Sequence, residues 1–321
     1  MMKISVLGCG RWGTFLAYYT SKMHDVTLWG RENSSNIKNL METRKNEYLT
    51  LPQNTKLTSD LKEAMSNDYI IISILAQQFQ DLLNHLKEYD YKNKKYILCM
   101  KGIDAETGKR LTEIAIDNGI DKNNLAIWVG PGHVQNFVNG TPNCMLIDAY
   151  DVNLAKFLAT ELSSELIRFY IGTDIIGAEV GAGGKNVLGI AAGMLDGLDM
   201  SCLKGALMAR GTREVSRLVK AMGGETITPY GLSHLGDFEA TLFSPFSQNR
   251  RYGESFIKGE KFEKSAEGVA TIKGFMLLSE KYNVEMPITQ ALYNILYKNC
   301  DAKEELKAIF NRNLTFEFEG I

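Results

Sequence analysis

Four segments carry residue types that can do chemistry at these spacings. Gly8-Cys9-Gly10-Arg11-Trp12-Gly13 is a GxGxxG hexad directly after an apolar run. In that context the first glycine permits a tight turn and the second lets the backbone approach a pyrophosphate. The third lets the following helix pack closely on its sheet. Gly181-Ala182-Gly183-Gly184-Lys185-Asn186 brings a lysine and an asparagine out of a glycine-rich stretch. A lysine in a semi-apolar cleft has its pKa lowered and becomes a workable proton donor and acceptor, and Asn186 can orient it. Asp237, in His234-Leu235-Gly236-Asp237, can pair with such a lysine. Ser247-Gln248-Asn249-Arg250-Arg251 places two arginines beside polar neighbours, a composition suited to phosphate recognition. Taken singly, the last two segments also read as a helix cap and a solvated charge pair.

The first half alternates short apolar runs with helical stretches. Lys3–Leu7, Asp25–Trp29, Tyr69–Leu75, Tyr96–Met100, Leu125–Val129, Met145–Asp148 and Leu166–Phe169 read as strands. Helical patterns at about Gly13–Met23, Phe79–Leu86 and Leu111–Asp117 lie between them. This alternation predicts a mostly parallel, doubly wound sheet. After Tyr170 only helix-length segments follow: Lys185–Leu198, Leu203–Met222, Ala266–Tyr282 and Ile288–Tyr297. The expected fold is α/β, a Rossmann-like domain over residues 1–175 followed by an all-α domain over 176–321, with Thr315–Ile321 as a loose tail. The glycine-rich stretch is expected to open the helix that carries Lys185. Gly189, Gly193 and Gly197 repeat every four residues, which predicts a smooth helix face for close packing.

Ligands of such sheets bind beyond the carboxyl ends of the strands. Lys101-Gly102 follows one strand and Gly130-Pro131-Gly132-His133 follows another, so a cation and an exposed backbone turn are expected there. Arg31, at the end of the second strand, favours a 2′-phosphate and hence NADP; Glu32 beside it keeps NAD open.

Composition narrows the classes. The 321 residues include 29 glycines and 6 prolines, and ten of the glycines fall between Gly172 and Gly211. Low-complexity chains, which scatter Gly and Pro together, and collagen, which needs both in quantity, are excluded. Thirty-six basic residues against 38 acidic ones give −2, which argues against a broad nucleic-acid surface. No apolar run reaches a membrane-spanning length of about 20 residues, and Met1–Gly8 lacks the features of a signal peptide. Five scattered cysteines, Cys9, Cys99, Cys144, Cys202 and Cys300, suit a reducing cytoplasm and form no metal-ligand spacing.

Together these segments resemble the bacterial soluble NAD(P)-dependent glycerol-3-phosphate dehydrogenases. The resemblance runs through VLGCGRWGT, LWGR, MKGIDAETG, the GP turn, GAEVGAGGKNVLGIAAGMLDGL, ARGTREVSRL, LGDFEAT, SQNRRYG, AEGVATIK and VEMPIT. It implies reversible reduction of dihydroxyacetone phosphate to sn-glycerol 3-phosphate for phospholipid synthesis, in a cytoplasmic homodimer using NADP or NAD. It implies Lys185 as proton donor and acceptor, Asp237 as its partner acid, and Lys101 near substrate and nicotinamide. Asn186 and Thr241 would help place the ketone and phosphate. Gly130, Gly132, Ser247, Gln248 and Asn249 match substrate-binding positions, and Arg250 is a further candidate there. With the glycines Gly8, Gly10 and Gly13, the positions Arg11, Trp12, Arg31, Val134 and Glu267 match cofactor-contacting ones.

Two departures stand out. Gln248 occupies the place of an arginine that grips the substrate phosphate in the family, and glutamine cannot supply a bidentate cation. Either Arg250 or Arg251 takes over, or the phosphate is held more weakly, or the substrate differs. Gly132 stands where many members have Ser or Thr. The competing expectations are a related dehydrogenase of β-hydroxyacid or ketopantoate reductase type, and a non-catalytic dinucleotide sensor; the sensor has no need for Lys101, Lys185 and Asp237 together.

Overall fold

Continuous β-branched and apolar runs make strands that are covered on both faces, and the first half of this chain is built on them. The computed structural model describes residues 1–314, 316 and 317, so most of the expected tail Thr315–Ile321 lies outside the described residues. The chain divides into two compact units. One comprises Met1–Met100 and Leu111–Ile175, the other Lys101–Arg110 and Ile176–Ile321.

The first unit opens with β1 (Lys3–Leu7), α1 (Arg11–Thr20), β2 (Asp25–Trp29), α2 (Ser35–Thr43), β3 (Lys56–Thr58) and α3 (Leu61–Ala64). It continues through β4 (Tyr69–Ile72), α4 (Phe79–Leu86), β5 (Lys95–Leu98), α5 (Leu111–Asp117), β6 (Leu125–Val129) and α6 (Val134–Val138). It closes with β7 (Asn143–Ala149), α7 (Val152–Leu162) and β8 (Ile167–Ile171). The eight strands form one sheet in the order β3-β2-β1-β4-β5-β6-β7-β8. All neighbours are parallel except β6 and β7, which pair antiparallel from Ala126↔Ala149 to Val129↔Leu146. The order reverses between β1 and β4, in register Ile4↔Tyr69 to Leu7↔Ile72. Ligands of such sheets bind at that reversal. Val6, Phe15, Leu16, Ile71 and Trp128 are fully buried in the core beside it.

The GxGxxG hexad makes the turn from β1 to α1. Gly8 has φ +118°, and a Cβ there would drive into the carbonyl oxygen of Ser73. Only glycine lets β1 leave the sheet this close to β4. The short strand β3 was not foreseen; its three residues give too little alternation to read.

The second unit is helical: α8 (Ile175–Gly197), α9 (Lys204–Ala221), α10 (Asp237–Phe243), α11 (Gln248–Lys258), α12 (Glu267–Tyr282), α13 (Pro287–Lys298) and α14 (Ala302–Phe310). Here an expectation is corrected. The stretch Gly181–Gly184 does not open the helix bearing Lys185; it lies inside α8, which starts six residues before it at Ile175. Glycine disfavours an isolated helix, but tertiary packing overrides that preference. Side chains of His234, Thr271 and Val215 close on the faces left by Gly181, Gly183 and Gly184 respectively. Ala178, Val180, Leu188, Ile190, Ala192 and Met194 are all at most 1% exposed, so α8 is the central rod of this unit. The excursion Lys101–Arg110 packs into it through Ile103 and the buried ion pair Arg110–Glu179 at 2.7 Å.

The expected packing glycines also have partners. A Cβ on Gly193 would enter the Arg250 carbonyl of α11, and one on Gly197 would press on Ile257. Gly193→Ala is therefore expected to lower the unfolding free energy by about 1–3 kcal/mol, the cost of overpacking. Gly205→Ala, exposed on α9 with no atom in the way, is expected to raise it by about 0.4–1 kcal/mol. Urea denaturation of both variants checks the pair; equal effects would mean that α11 does not seat on Gly193.

Candidate active site

Asp237 is the first residue of α10, directly after a wide π turn over Leu232–Gly236. Its side chain is 4% exposed and touches two ammonium groups. Lys101 Nζ lies 2.5 Å from Oδ2, and Lys185 Nζ lies 3.1 Å from Oδ1. The three side chains sum to +1, and Glu267 is a further negative charge that acts on Lys185. Lys185 also donates to Thr241 Oγ1 at 3.2 Å, and that hydroxyl donates to the Asp237 carbonyl at 2.9 Å. Two of the three ammonium hydrogens of Lys185 are therefore held by protein, leaving one for a ligand oxygen.

An amide relay fixes the other end. The Asn249 amide donates to Asn186 Oδ1 at 2.9 Å, while its own oxygen accepts from the Gly268 backbone at 3.0 Å. Asn186 in turn donates to the Lys101 carbonyl at 2.8 Å. The loop after β5 is thus tied to α8, α11 and α12. Lys101, Lys185, Asn186, Asp237, Thr241 and Asn249 form one bonded cluster, all within the second unit.

The charges follow from burial and neighbours. Burial pushes the Lys185 ammonium down to about 8; Asp237 opposes that fall and Lys101 adds to it. Burial by itself would raise the Asp237 carboxyl, but Lys101 and Lys185 hold it below its ordinary value. Asp237 is therefore an anion at neutral pH, and Lys185 can exchange its proton near neutrality. His234, which sequence reasoning passed over as a neighbour, belongs here too. It is fully buried, stacks on Phe238, and its Nδ1 lies 2.8 Å from the Gly181 carbonyl. Burial lowers its pKa to about 4, so a neutral ring clasps the π turn to α8. No periodicity marks a five-residue turn, so nothing in the sequence signalled it.

Other sequence-nominated residues have different surroundings. Ser247 caps α11 by accepting from the Arg250 backbone at 3.3 Å. Glu267 opens α12. In the first unit, Gly130 and Gly132 follow β6, and Val134 starts α6 with its side chain buried. Arg11 and Trp12 begin α1, and the Trp12 ring packs on Phe15 at 5.2 Å between centroids. The Trp12 Nε1 is buried with no partner among the described residues. At the end of β2 a cavity of about 180 Å³ is lined by Trp29, Arg31, Ile74, Gln78 and Leu82. Arg31 reaches Gln78 Oε1 at 3.5 Å there. Gln78 had no signal in the sequence, since it comes from the connection after β4, while Leu82 is on α4.

The first unit fits a dinucleotide. Beyond the tight contacts of Gly8 and Gly13, a Cβ on Gly10 would meet no atom within 4 Å, so the backbone there faces open space at the start of α1. Such a helix start presents free N–H groups to phosphate.

Comparison with known proteins agrees with this geometry. Residues 3–155 match the model for the NAD-dependent glycerol-3-phosphate dehydrogenase N-terminus, and residues 174–307 the model for its C-terminus. The chain belongs to the NAD-dependent glycerol-3-phosphate dehydrogenase family. A glycerol-3-phosphate dehydrogenase [NAD(P)+] of a Thermoanaerobacter species is 34% identical over 333 residues, covering 100% of both chains. The crystal structure of glycerol-3-phosphate dehydrogenase from Coxiella burnetii superposes with a TM-score of 0.90 at 27% identity, covering 97% of this chain and 99% of that one. A 2-dehydropantoate 2-reductase from Methylococcus capsulatus shares the fold, with a TM-score of 0.60 at 16% identity over 98% of this chain and 99% of its own.

For a glycerol-3-phosphate dehydrogenase, the departure at Gln248 has a visible local consequence. The Gln248 amide donates to the Phe246 carbonyl at 3.3 Å, and its oxygen is buried without a partner among the described residues. Arg250, the suggested replacement cation, is bound elsewhere. Its guanidinium lies 2.6 Å from Asp196 and 3.4 Å from Glu254, and donates to the Ser244 carbonyl at 3.2 Å.

Removing the central charge should move the lysine it supports. Asp237→Asn is expected to shift the Lys185 limb of the pH–rate profile below 8 by about 1–3 units, since a nearby carboxylate favours the ammonium. A limb that stays at the wild-type position would show that the Asp237 charge does not govern Lys185.

Proposed function

We propose that this chain catalyses the reversible reduction of dihydroxyacetone phosphate to sn-glycerol 3-phosphate with NADPH or NADH. The observation that carries the reading is the Lys101–Asp237–Lys185 cluster in a chain of this family. The first unit binds the dinucleotide, with Gly8, Gly10, Gly13, Arg11 and Trp12 about its phosphates. Arg31 meets the adenosine ribose, and Val134 contributes a further cofactor contact. The second unit holds the ketone.

When bound, the reduced nicotinamide supplies the hydride that C2 of the ketone accepts. Lys185 donates the proton to the developing alkoxide through the hydrogen that neither Asp237 nor Thr241 holds. Asp237 and Thr241 orient that ammonium. Lys101 adds positive charge where negative charge grows, and its backbone is steadied by Asn186. Asn249, Ser247 and Gln248 line the substrate's path in the second unit, and Arg250 supports this region through its anchor on Asp196. In the reverse direction the neutral Lys185 amine takes the alcohol proton. The product feeds glycerophospholipid synthesis in the cytoplasm.

The test is NADPH and NADH oxidation with dihydroxyacetone phosphate, run beside dihydroxyacetone and 2-ketopantoate. Turnover of 2-ketopantoate without turnover of the phosphate would replace this reading with the reductase one. Lys185→Ala is expected to lower kcat by about 100- to 10,000-fold, the usual worth of a general acid. Because its pKa is lowered from the ordinary lysine value to about 8, the donor form is lost as pH rises through 8. Ketone reduction should therefore fall above pH 8, and alcohol oxidation should rise there. Arg31→Ala should raise the Michaelis constant for NADPH by about tenfold and leave that for NADH nearly unchanged, since an arginine in this place serves the 2′-phosphate. Equal changes would remove Arg31 from cofactor choice.

A further inference from the structure

The side-chain nitrogen of Lys185 has tetrahedral directions, and their use is specific. One is its own Cε. Another points at Asp237 Oδ1, at 3.1 Å, and a third at Thr241 Oγ1, at 3.2 Å. Among the described residues nothing bonds along the remaining direction. In the ammonium form that direction carries the hydrogen that meets the alkoxide in the proposed reaction. In the neutral form Lys185 keeps two hydrogens, Asp237 and Thr241 hold them, and the open direction carries the lone pair. A site that aims a proton at a ketone therefore aims a nucleophile at it once that proton is gone.

The surroundings suit such an amine. The Lys185 side chain is only 12% exposed. Lys101 lies on the other oxygen of the same carboxylate, at 2.5 Å. A lysine desolvated beside a second cation is the setting in which amines form Schiff bases with carbonyl compounds. Burial brings the Lys185 pKa down to about 8, against Asp237 and with Lys101. The neutral amine is therefore plentiful at mildly alkaline pH. The neighbours also accommodate the product. An iminium on Lys185 keeps a positive charge and one N–H beside Asp237, as a buried carboxylate requires. Thr241 loses only a bond that it accepts, and its own hydroxyl still donates to the Asp237 carbonyl at 2.9 Å.

We propose that Lys185 is also a covalent carbonyl site: without reduced nicotinamide it condenses with C2 of the small phosphorylated ketone and holds it as an iminium. The proposal rests on the reading that this ketone reaches the Lys101–Asp237–Lys185 cluster. The neutral amine adds its lone pair to C2, so the N–C bond forms and the carbonyl π pair moves to oxygen. Both amine hydrogens then leave with that oxygen as one water, and the C=N bond forms. The imine takes one proton from solvent. Nothing is oxidised or reduced, and no nicotinamide is consumed. One open direction on Lys185 serves both reactions, so the covalent state and proton donation exclude each other.

The experiment incubates the full chain, without nicotinamide, with dihydroxyacetone phosphate and sodium cyanoborohydride, which reduces an iminium to a stable secondary amine. Peptide mapping by mass spectrometry locates the label, and NADPH-dependent turnover is measured on an untreated portion. One adduct per chain is expected, on Lys185, at a level about tenfold or more above that on Lys261, whose side chain is 85% exposed. Labelling should rise about tenfold between about pH 7 and pH 9, as an amine titrating at about 8 becomes neutral. Turnover of the treated enzyme should fall in step with the labelled fraction. Lys185→Arg, which keeps a cation beside Asp237, should remove the adduct. An unlabelled Lys185, or equal label on Lys185 and Lys261, overturns the proposal whether or not the untreated enzyme turns over. Turnover with an unlabelled Lys185 would leave the proposed reaction standing. A labelled Lys185 without turnover would overturn that reaction and keep the covalent site.

Discussion

The carboxylate of Asp237 is the constraint around which the second unit is arranged. It is nearly closed to water and holds two ammonium groups, one from the loop after β5 and one from the middle of α8. A buried charge of this kind persists only when it is paired and hydrogen-bonded, and leaving it alone costs roughly 3–5 kcal/mol. Three segments distant in sequence must therefore arrive together. The loop is brought by Ile103 and by the Arg110–Glu179 pair, α8 by its buried apolar faces, and α10 by the π turn that His234 clasps to Gly181. The same burial that makes the carboxylate dependent on its lysines lowers the Lys185 pKa, so stability and proton exchange have one physical origin.

Close approach to α8 explains the glycine-rich, proline-free middle of the chain. Each helical glycine costs up to about 1 kcal/mol against alanine. Here the vacated positions admit atoms of other elements: His234 at Gly181, Val215 at Gly184, Thr241 and Asn249 at Gly189, and the backbone of α11 at Gly193. Asn249 can reach Asn186 only because α11 lies this close. The glycines that look like a weakness of the helix are what bring its functional neighbours into hydrogen-bond range.

Much of this was legible in the sequence, for identifiable reasons. Strands such as Asp25–Trp29 and Leu125–Val129 are β-branched or aromatic runs with polar ends, and their bounds coincide with β2 and β6. The strand–turn–helix context of the GxGxxG hexad is likewise local. What escaped depends on tertiary contact. The start of α8 at Ile175 was hidden because glycine preferences point the other way until neighbours fill the gaps. The grouping of Lys101–Arg110 with the helical unit was hidden because the segment follows a sheet strand and has no helical pattern of its own. Lys101, Lys185, Asn186 and Asp237 could be nominated by residue type, but their bonding order, with Asp237 between the lysines and Asn186 on the Lys101 backbone, exists only in the fold.

Arg250 shows where residue type misleads. Adjacent arginines beside Asn and Ser suit phosphate, and Gln248 creates a need for a cation nearby. Yet Arg250 meets Asp196, which also binds Lys204 at 2.7 Å, and both cations are mostly buried. Moving Arg250 to a ligand would strip Asp196 of one of the partners that hold its carboxyl below the ordinary range, against the burial that would raise it. It would also release Ser244 just ahead of α11, whose first turn carries Asn249. The guanidinium therefore does more for the site by fixing α11 on α8 than it would by leaving. In the reading proposed here, the surplus positive charge that meets a phosphorylated ketone comes from Lys101 and Lys185 against the single charge of Asp237, and the amides beside them supply direction rather than charge.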